Sequence, residues 1–361
     1  DNIQAAVDAA SDGDEIIVMP GTYTSTQDGH VVNMLGKAVT LRSLYPDNPD
    51  VVATTIIDGE GVRRGIVCKN GETNQTIIEG ITIQNCTATW YDWNGNNQTE
   101  SWEYFGGGMW NRDGSSPTVT SCRFINNIAE YGGGMYNGDE NGIESNPVLT
   151  GCLFLENSTN ANNGVGGGMY NFTSSPTLTH CDFFGNTAFY GGGMLNWESS
   201  NPLLTNCNFT GNSVGGDGGG IYNNQSMPTF MNCVFHENNA IDGGGVFNAD
   251  PSSSANVPMF QNCTFTENTA SSQGGGMHNF SISPVLTHCT FQGNSGGAGG
   301  AILSWNSSLP SILDSLICGN TPNKASATPP CPKYKTHGIC IILPLTSSRK
   351  AKPETTKFRW V

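Results

Sequence analysis

The chain has 361 residues, 47 of them glycine and only 12% charged, with a formal net charge of −15. That acidic balance argues against nucleic acid and anionic membrane surfaces as partners, and no stretch approaches the ~20 apolar residues of a membrane span. The charge is unevenly placed: Phe124 to Asn323 contains no Lys or Arg, whereas Lys324 to Val361 holds eight cations against one acid, Glu354.

In chain order, Ile3 to Ala10 (IQAAVDAA) reads as a short amphipathic helix closed by Ser11-Asp12-Gly13-Asp14, Glu15 to Met19 as a strand, and Pro20-Gly21-Thr22-Tyr23 as a turn. Apolar strands follow at Val39 to Arg42, Thr55 to Gly59 and Ile77 to Ile83, with Asp-Gly or Glu-Gly turns. An aromatic insertion then precedes a phrase repeated eight times. Its fullest form is Gly-Gly-Gly-Met-x-Asn, a turn with Pro, and a short strand into Cys-x-Phe-x-x-Asn. The glycine runs begin at Gly106, Gly132, Gly166, Gly191, Gly218, Gly243, Gly274 and Gly299, spaced by 25 to 34 residues. A period in that range predicts a solenoid whose repeats bury their apolar faces only by stacking on each other. A solenoid also explains how so many residues form one domain, 1–323, divisible into a cap with early rungs (1–105) and the repeat block (106–323), followed by a basic tail, 324–361.

Two resemblances rest on these residues. Ile3 to Val7, Gly13 to Val18 and Pro20 to Tyr23 resemble the opening of pectin-lyase-like right-handed parallel β-helices, in which a helix caps the open end of the column. The Gly-Gly-Gly-Met and Phe-x-x-Asn pairs resemble polymorphic outer-membrane-protein repeats, although only Gly299-Gly300-Ala301-Ile302 has that family's Gly-Gly-Ala-Ile form, and the barrel that usually follows such repeats is absent. The implied fold is all-β, a right-handed parallel β-helix of roughly a dozen rungs with a short N-terminal capping helix. The resemblance implies little about activity, because this fold carries lyases, hydrolases, adhesins and structural proteins.

Stacked rungs turn each repeat position into a ladder. Cys122, Cys152, Cys181, Cys207, Cys233, Cys263 and Cys289 stand two residues before a Phe or its equivalent, so strand alternation points both inward. Without Cys-x-x-Cys or Cys/His spacing, they read as a buried stack of inert thiols, which Cys86 would extend. Asn111 to Asn279 after the glycines, and Asn127 to Asn294 in Phe-x-x-Asn, form two amide ladders in which left-handed backbone would be tolerated at a corner.

Chemistry is harder to find. Arg63-Arg64 beside Asp58 and Glu60 is the polar cluster a polyuronate-active enzyme would need, but the bland reading is solvated turn residues. His180 and His288 precede ladder cysteines and read as surface histidines. The run Gly215 to Gly220, with Asp217, resembles a calcium-binding nonapeptide repeat in one copy only. Trp90, Tyr91, Trp93, Trp102 and Tyr104, with nearby acids, suit sugar stacking or a protein partner. Asn97, Asn208, Asn224, Asn262 and Asn306 are the glycosylation candidates if the source is eukaryotic.

A start at Asp1 without Met reads as a mature, secreted form. The expectation is a non-enzymatic extracellular or cell-surface structural or adhesive protein, with no cofactor or metal, that self-associates head-to-tail into fibres or binds surface glycans. The alternative is a polysaccharide-active lyase or hydrolase, or a carbohydrate-binding module. The tail reads equally as a cap over the last rung, a polymerisation segment, or non-native sequence from a shifted reading frame.

Overall fold

The computed structural model describes residues 2–25, 29–88, 104–139, 141–160, 163–250 and 257–321. Its strands stack into four parallel sheets of eleven, eleven, seven and ten strands. The first runs from Glu15–Val18 to Ser311–Leu313 and the second from Gly21–Tyr23 to Leu316–Cys318. The third, from Ile128–Ala129 to Ser295–Ala298, starts only with the glycine repeats, and the fourth runs from His30–Asn33 to Ile302–Trp305. Each rung visits the sheets in that order, giving the right-handed solenoid that parallel crossovers favour.

The N-terminal helix, Ile3–Ala9, is capped by the Asn2 side chain, which accepts from Gln4 N at 2.9 Å. It lays Ile3 and Val7 on the end of the core. Gln4 exchanges hydrogen bonds with the backbone of Asn33 at the edge of the first rung, and Lys37 Nζ donates to the last helical carbonyls, Val7, Asp8 and Ala10, at 2.7–2.8 Å. The edge that would template another chain is thereby covered. One sequence expectation fails here, and one element was not anticipated. Gly21–Tyr23 is the founding strand of the second sheet rather than a turn, and Pro49–Thr54 forms a second helix, with Asn48 at its N-cap and Pro at its start.

Inside the column, Cys122 and Phe124 and their equivalents are buried on one face as expected. The phenylalanines stack in parallel, for example Phe154 on Phe183 at 4.6 Å and 2°, filling the core from rung to rung. Burial pushes the Cys122 thiol up, so it stays neutral. Cys86, however, does not extend this column. Phe124 pairs with Ile83, which puts Ile81 in the cysteine column and Cys86 at the head of the Phe-x-x-Asn ladder. Cys68 likewise heads the other ladder, pairing with Asn111.

Both amide ladders are continuous. Asn111, Asn137, Asn171, Asn196, Asn223 and Asn248 each donate Nδ2–H to Oδ1 of the next, at 2.8–2.9 Å. Asn127 to Asn294 repeat the pattern, each amide also reaching a core carbonyl one rung back, as Asn157 does to Phe124 O at 2.9 Å. Left-handed backbone lies not at these asparagines but at the residue before each member of the Asn127 to Asn294 ladder and before each cysteine of the column, such as Asn126 and His180. Within each triplet only the first glycine has positive φ, as at Gly191. The third lacks room instead: a Cβ on Gly193 would meet Gly220 O at 2.6 Å and the Phe209 ring at 2.7 Å.

Candidate functional site

Strand alternation sends Met135, Met169 and Met194 of the fourth sheet inward and the residue after each one outward. Register then stacks Trp110, Tyr136, Tyr170, Leu195, Tyr222, Phe247 and His278 into one column on the outer face. A flanking column carries Phe105, Tyr131, Val165 and Tyr190, linked by successive bridges. A third carries Phe172, Trp197, Asn224, Ala249, Phe280 and Trp305. This aromatic wall was legible as the variable position of Gly-Gly-Gly-Met-x-Asn, but alternation alone assigns that position to solvent and gives it no partner.

The two halves of the wall differ. Toward the N-terminus Trp110, Tyr136 and Leu195 are each 1% exposed. Phe105 stacks on Tyr136 at 4.3 Å, and the Arg64 and Arg112 guanidinium groups lie 4.9 and 5.2 Å from the Trp110 ring. Toward the C-terminus the wall opens. Trp197 and Tyr222 are half-buried and nearly parallel at 6.5 Å, Tyr222 stacks on Phe247 at 5.0 Å, and Phe280 and Trp305 are exposed at 38% and 46%.

Carboxylates enter where the wall opens. In the column of Tyr131, Val165 and Tyr190, the next two rungs supply Asp217 and Asp242: Gly191 N donates to Asp217 O, and Gly218 N to Asp242 O. Burial, reinforced by the charge of Asp242, raises the Asp217 carboxyl to about 6. Asp242 Oδ2 lies 3.7 Å from Nδ1 of His278, a buried imidazole whose pKa burial lowers against the opposing pull of Asp242. Phe247 meets that imidazole edge-on at 5.0 Å.

The residues singled out from sequence are distributed differently. Trp90, Tyr91, Trp93, Trp102 and Asn97 lie outside the described residues, as does the tail beyond Thr321. Tyr104 is half-buried, and its carbonyl accepts from Glu130 N at 3.1 Å. Of the Arg63/Arg64 cluster, Asp58, Glu60 and Arg63 gather at one turn, with Glu60 N donating to Asp58 Oδ1 at 2.8 Å. Arg63 pairs with Glu60 at 2.7 Å, and Asp58 accepts from Gln84 and Asn85. Arg64 is not a solvated turn residue but fully buried, its Nε donating to Phe105 O at 2.8 Å. His180 and His288 are exposed at left-handed corners. Asn208, Asn262 and Asn306 are exposed and Asn224 is half-buried. One grouping was missed: ligand atoms of His236, Glu237 and Glu267 lie within 4.8 Å of one another and could hold a metal ion. Thirty residues separate the two glutamates, so no spacing motif announces it. No helix among the described residues is long and apolar enough to cross a membrane.

Residues 152–316 match the family model for the right handed beta helix region. No curated protein matches the sequence. Among solved structures, ORF18 of Geobacillus virus E2 is 13% identical with a TM-score of 0.44, covering 88% of this chain and 57% of its own. A tailspike protein mutant of E. coli bacteriophage HK620, in complex with pentasaccharide, is 11% identical with a TM-score of 0.32, covering 88% and 61%. The catalytic unit of a GH87 alpha-1,3-glucanase from Streptomyces thermodiastaticus is 10% identical with a TM-score of 0.34, covering 90% and 66%. The chain thus spans less than two thirds of each of these three. The family model and the four parallel sheets together make this chain a right-handed parallel β-helix.

Proposed function

We propose that the chain is a secreted, non-enzymatic adhesion protein that holds glycan chains against the open half of its aromatic wall. The carrying observation is the set of accessible rings on one face of the column: Trp197 and Tyr222 on one pair of adjacent rungs and Phe280 and Trp305 on the next pair, with the Val246–Ala249 rung between them. Successive rungs lie ~4.8 Å apart, so the rings offer a linear array of flat apolar surfaces, and sugar faces stack on such surfaces. In an extracellular compartment Asn208, Asn262 and Asn306 would be accessible to glycosylation. Retention of the full chain on immobilised polysaccharides tests the reading. Tyr222→Ala and Trp305→Ala should each weaken retention about tenfold, with no new reducing ends. Unchanged retention by both variants would remove the wall from the function, and sugar release by the wild type would make the protein an enzyme.

A second reading, head-to-tail self-association, is favoured by the last rung, where Leu309, Leu313 and Leu316 are exposed at 79%, 52% and 46%.

A further inference from the structure

The flanking column of the wall changes character at one step, from Phe105, Tyr131, Val165 and Tyr190 to Asp217 and Asp242. Two carboxylates in neighbouring rungs of one column are held about one strand spacing, ~4.8 Å, apart in backbone terms. No Lys or Arg occurs between Phe124 and Asn323 to neutralise them. His278 stands behind the pair, only 4% exposed, with its Nδ1 3.7 Å from Asp242 Oδ2. Neither ring nitrogen of His278 nor Asp242 Oδ1 has a hydrogen-bond partner among the described residues. Buried polar atoms left in that condition are costly, and a few such atoms gathered beside an open aromatic surface mark a place built for a ligand's polar groups. The rings of Tyr190 and Tyr222, 5.3 Å apart, flank the pair.

Resting on the glycan-binding reading above, we propose that Asp217 and Asp242, with His278 beside Asp242, form a hydroxyl-reading subsite that restricts the wall to uncharged sugars. A carboxylate accepts from sugar hydroxyls through charge-assisted hydrogen bonds. It repels the carboxylates or sulfates of acidic glycans, and Phe124 to Asn323 holds no Lys or Arg to offset that repulsion. Ring stacking would supply contact area that every pyranose shares, and the aspartate pair would supply the discrimination. His278 borders the subsite beside Asp242, too far at 3.7 Å for a hydrogen bond to it, and its ring nitrogens, unpartnered among the described residues, are open to a ligand hydroxyl.

Affinity gel electrophoresis of the full chain decides the matter, with a neutral mannan, a neutral β-glucan and polygalacturonate as separate probes. At least one neutral polymer should retard the wild type and polygalacturonate should not. The isosteric double variant D217N/D242N should bind that neutral polymer ten- to a hundredfold more weakly while keeping its near-ultraviolet circular dichroism. If the double variant loses that spectrum, D217N alone goes through the same gels with the same expectation. His278→Phe should weaken neutral binding less than D242N does, because it removes an uncharged contact and leaves both charge-assisted ones in place. Full neutral binding by the double variant, with loss on Tyr222→Ala, would overturn the subsite and leave the wall reading standing. Loss in D217N/D242N with unchanged binding by Tyr222→Ala and Trp305→Ala would do the reverse. Retardation by polygalacturonate would overturn the restriction to uncharged sugars, and a wild type retarded by neither neutral polymer would overturn both.

Discussion

Asp217 shows what one side chain costs the fold and what it returns. Burial and the neighbouring charge of Asp242 raise its carboxyl from 3.8 to about 6, so the folded chain favours the protonated form more than the unfolded chain does. Stability associated with that proton is complete below pH ~4 and is lost as pH rises through ~6. Asp217→Asn should therefore match the wild type in stability at pH 4 and exceed it at pH 7.5. The gain should be about 1 kcal/mol once screening of a partly exposed group is allowed for. Urea unfolding at the two pH values measures it; equal midpoints at pH 7.5 would show that Asp217 is not strained by its site. A wild type less stable than its Asn variant would fit a residue kept for binding rather than for folding.

At the scale of the element, the amide ladders join the rungs where side chains rather than backbone do the stacking. Asn196 accepts from Asn171 and donates to Asn223, both at 2.8 Å and fully buried. Asn196→Ala leaves one buried donor and one buried acceptor unmatched, so the expected loss is about 2–4 kcal/mol. Asn320→Ala at the half-buried end of the other ladder should cost less, because water can reach the groups on Asn294, Phe291 and Cys318 that it leaves unmatched. Denaturant midpoints for the pair check the contrast; equal effects would mean that burial of the unmatched groups adds nothing. The glycine triplets act at the same scale. Their second and third members have no room for a Cβ, so the wall closes tightly against the corner of the preceding strand.

At the scale of the whole molecule, the charge map and the two ends dominate. The body lacks cations over Phe124 to Asn323, whereas 324–361 carries eight. The N-terminal end is sealed by its helix, but the last rung presents exposed leucines. If self-association joins basic tail to acidic body, light scattering should register assemblies of the full chain at low ionic strength. Added salt or removal of 324–361 should return a single rod. Assemblies that persist after truncation would assign association to the exposed rung instead. Stability in such a column is approximately a sum of rung and neighbour terms.

The repeat by itself determined the architecture. A period of 25 to 34 residues, alternation in Cys-x-Phe and the recurring asparagines fix which residues face inward, because those constraints are local and identical in every rung. The capping helix followed from a short amphipathic segment ahead of the first strand. What register and loop length decide was not legible. Cys86 belongs to an asparagine column rather than the cysteine column because Ile83 pairs with Phe124, which sets Cys86 opposite Asn127. Arg64 is buried because the chain brings Phe105 and Trp110 over it from 41 and 46 residues away. Asp217, Asp242 and His278 meet only because three rungs of unequal length stack in register. Alternation tells inside from outside; only the tertiary structure decides which outward residues become neighbours, and the candidate site consists of those neighbours.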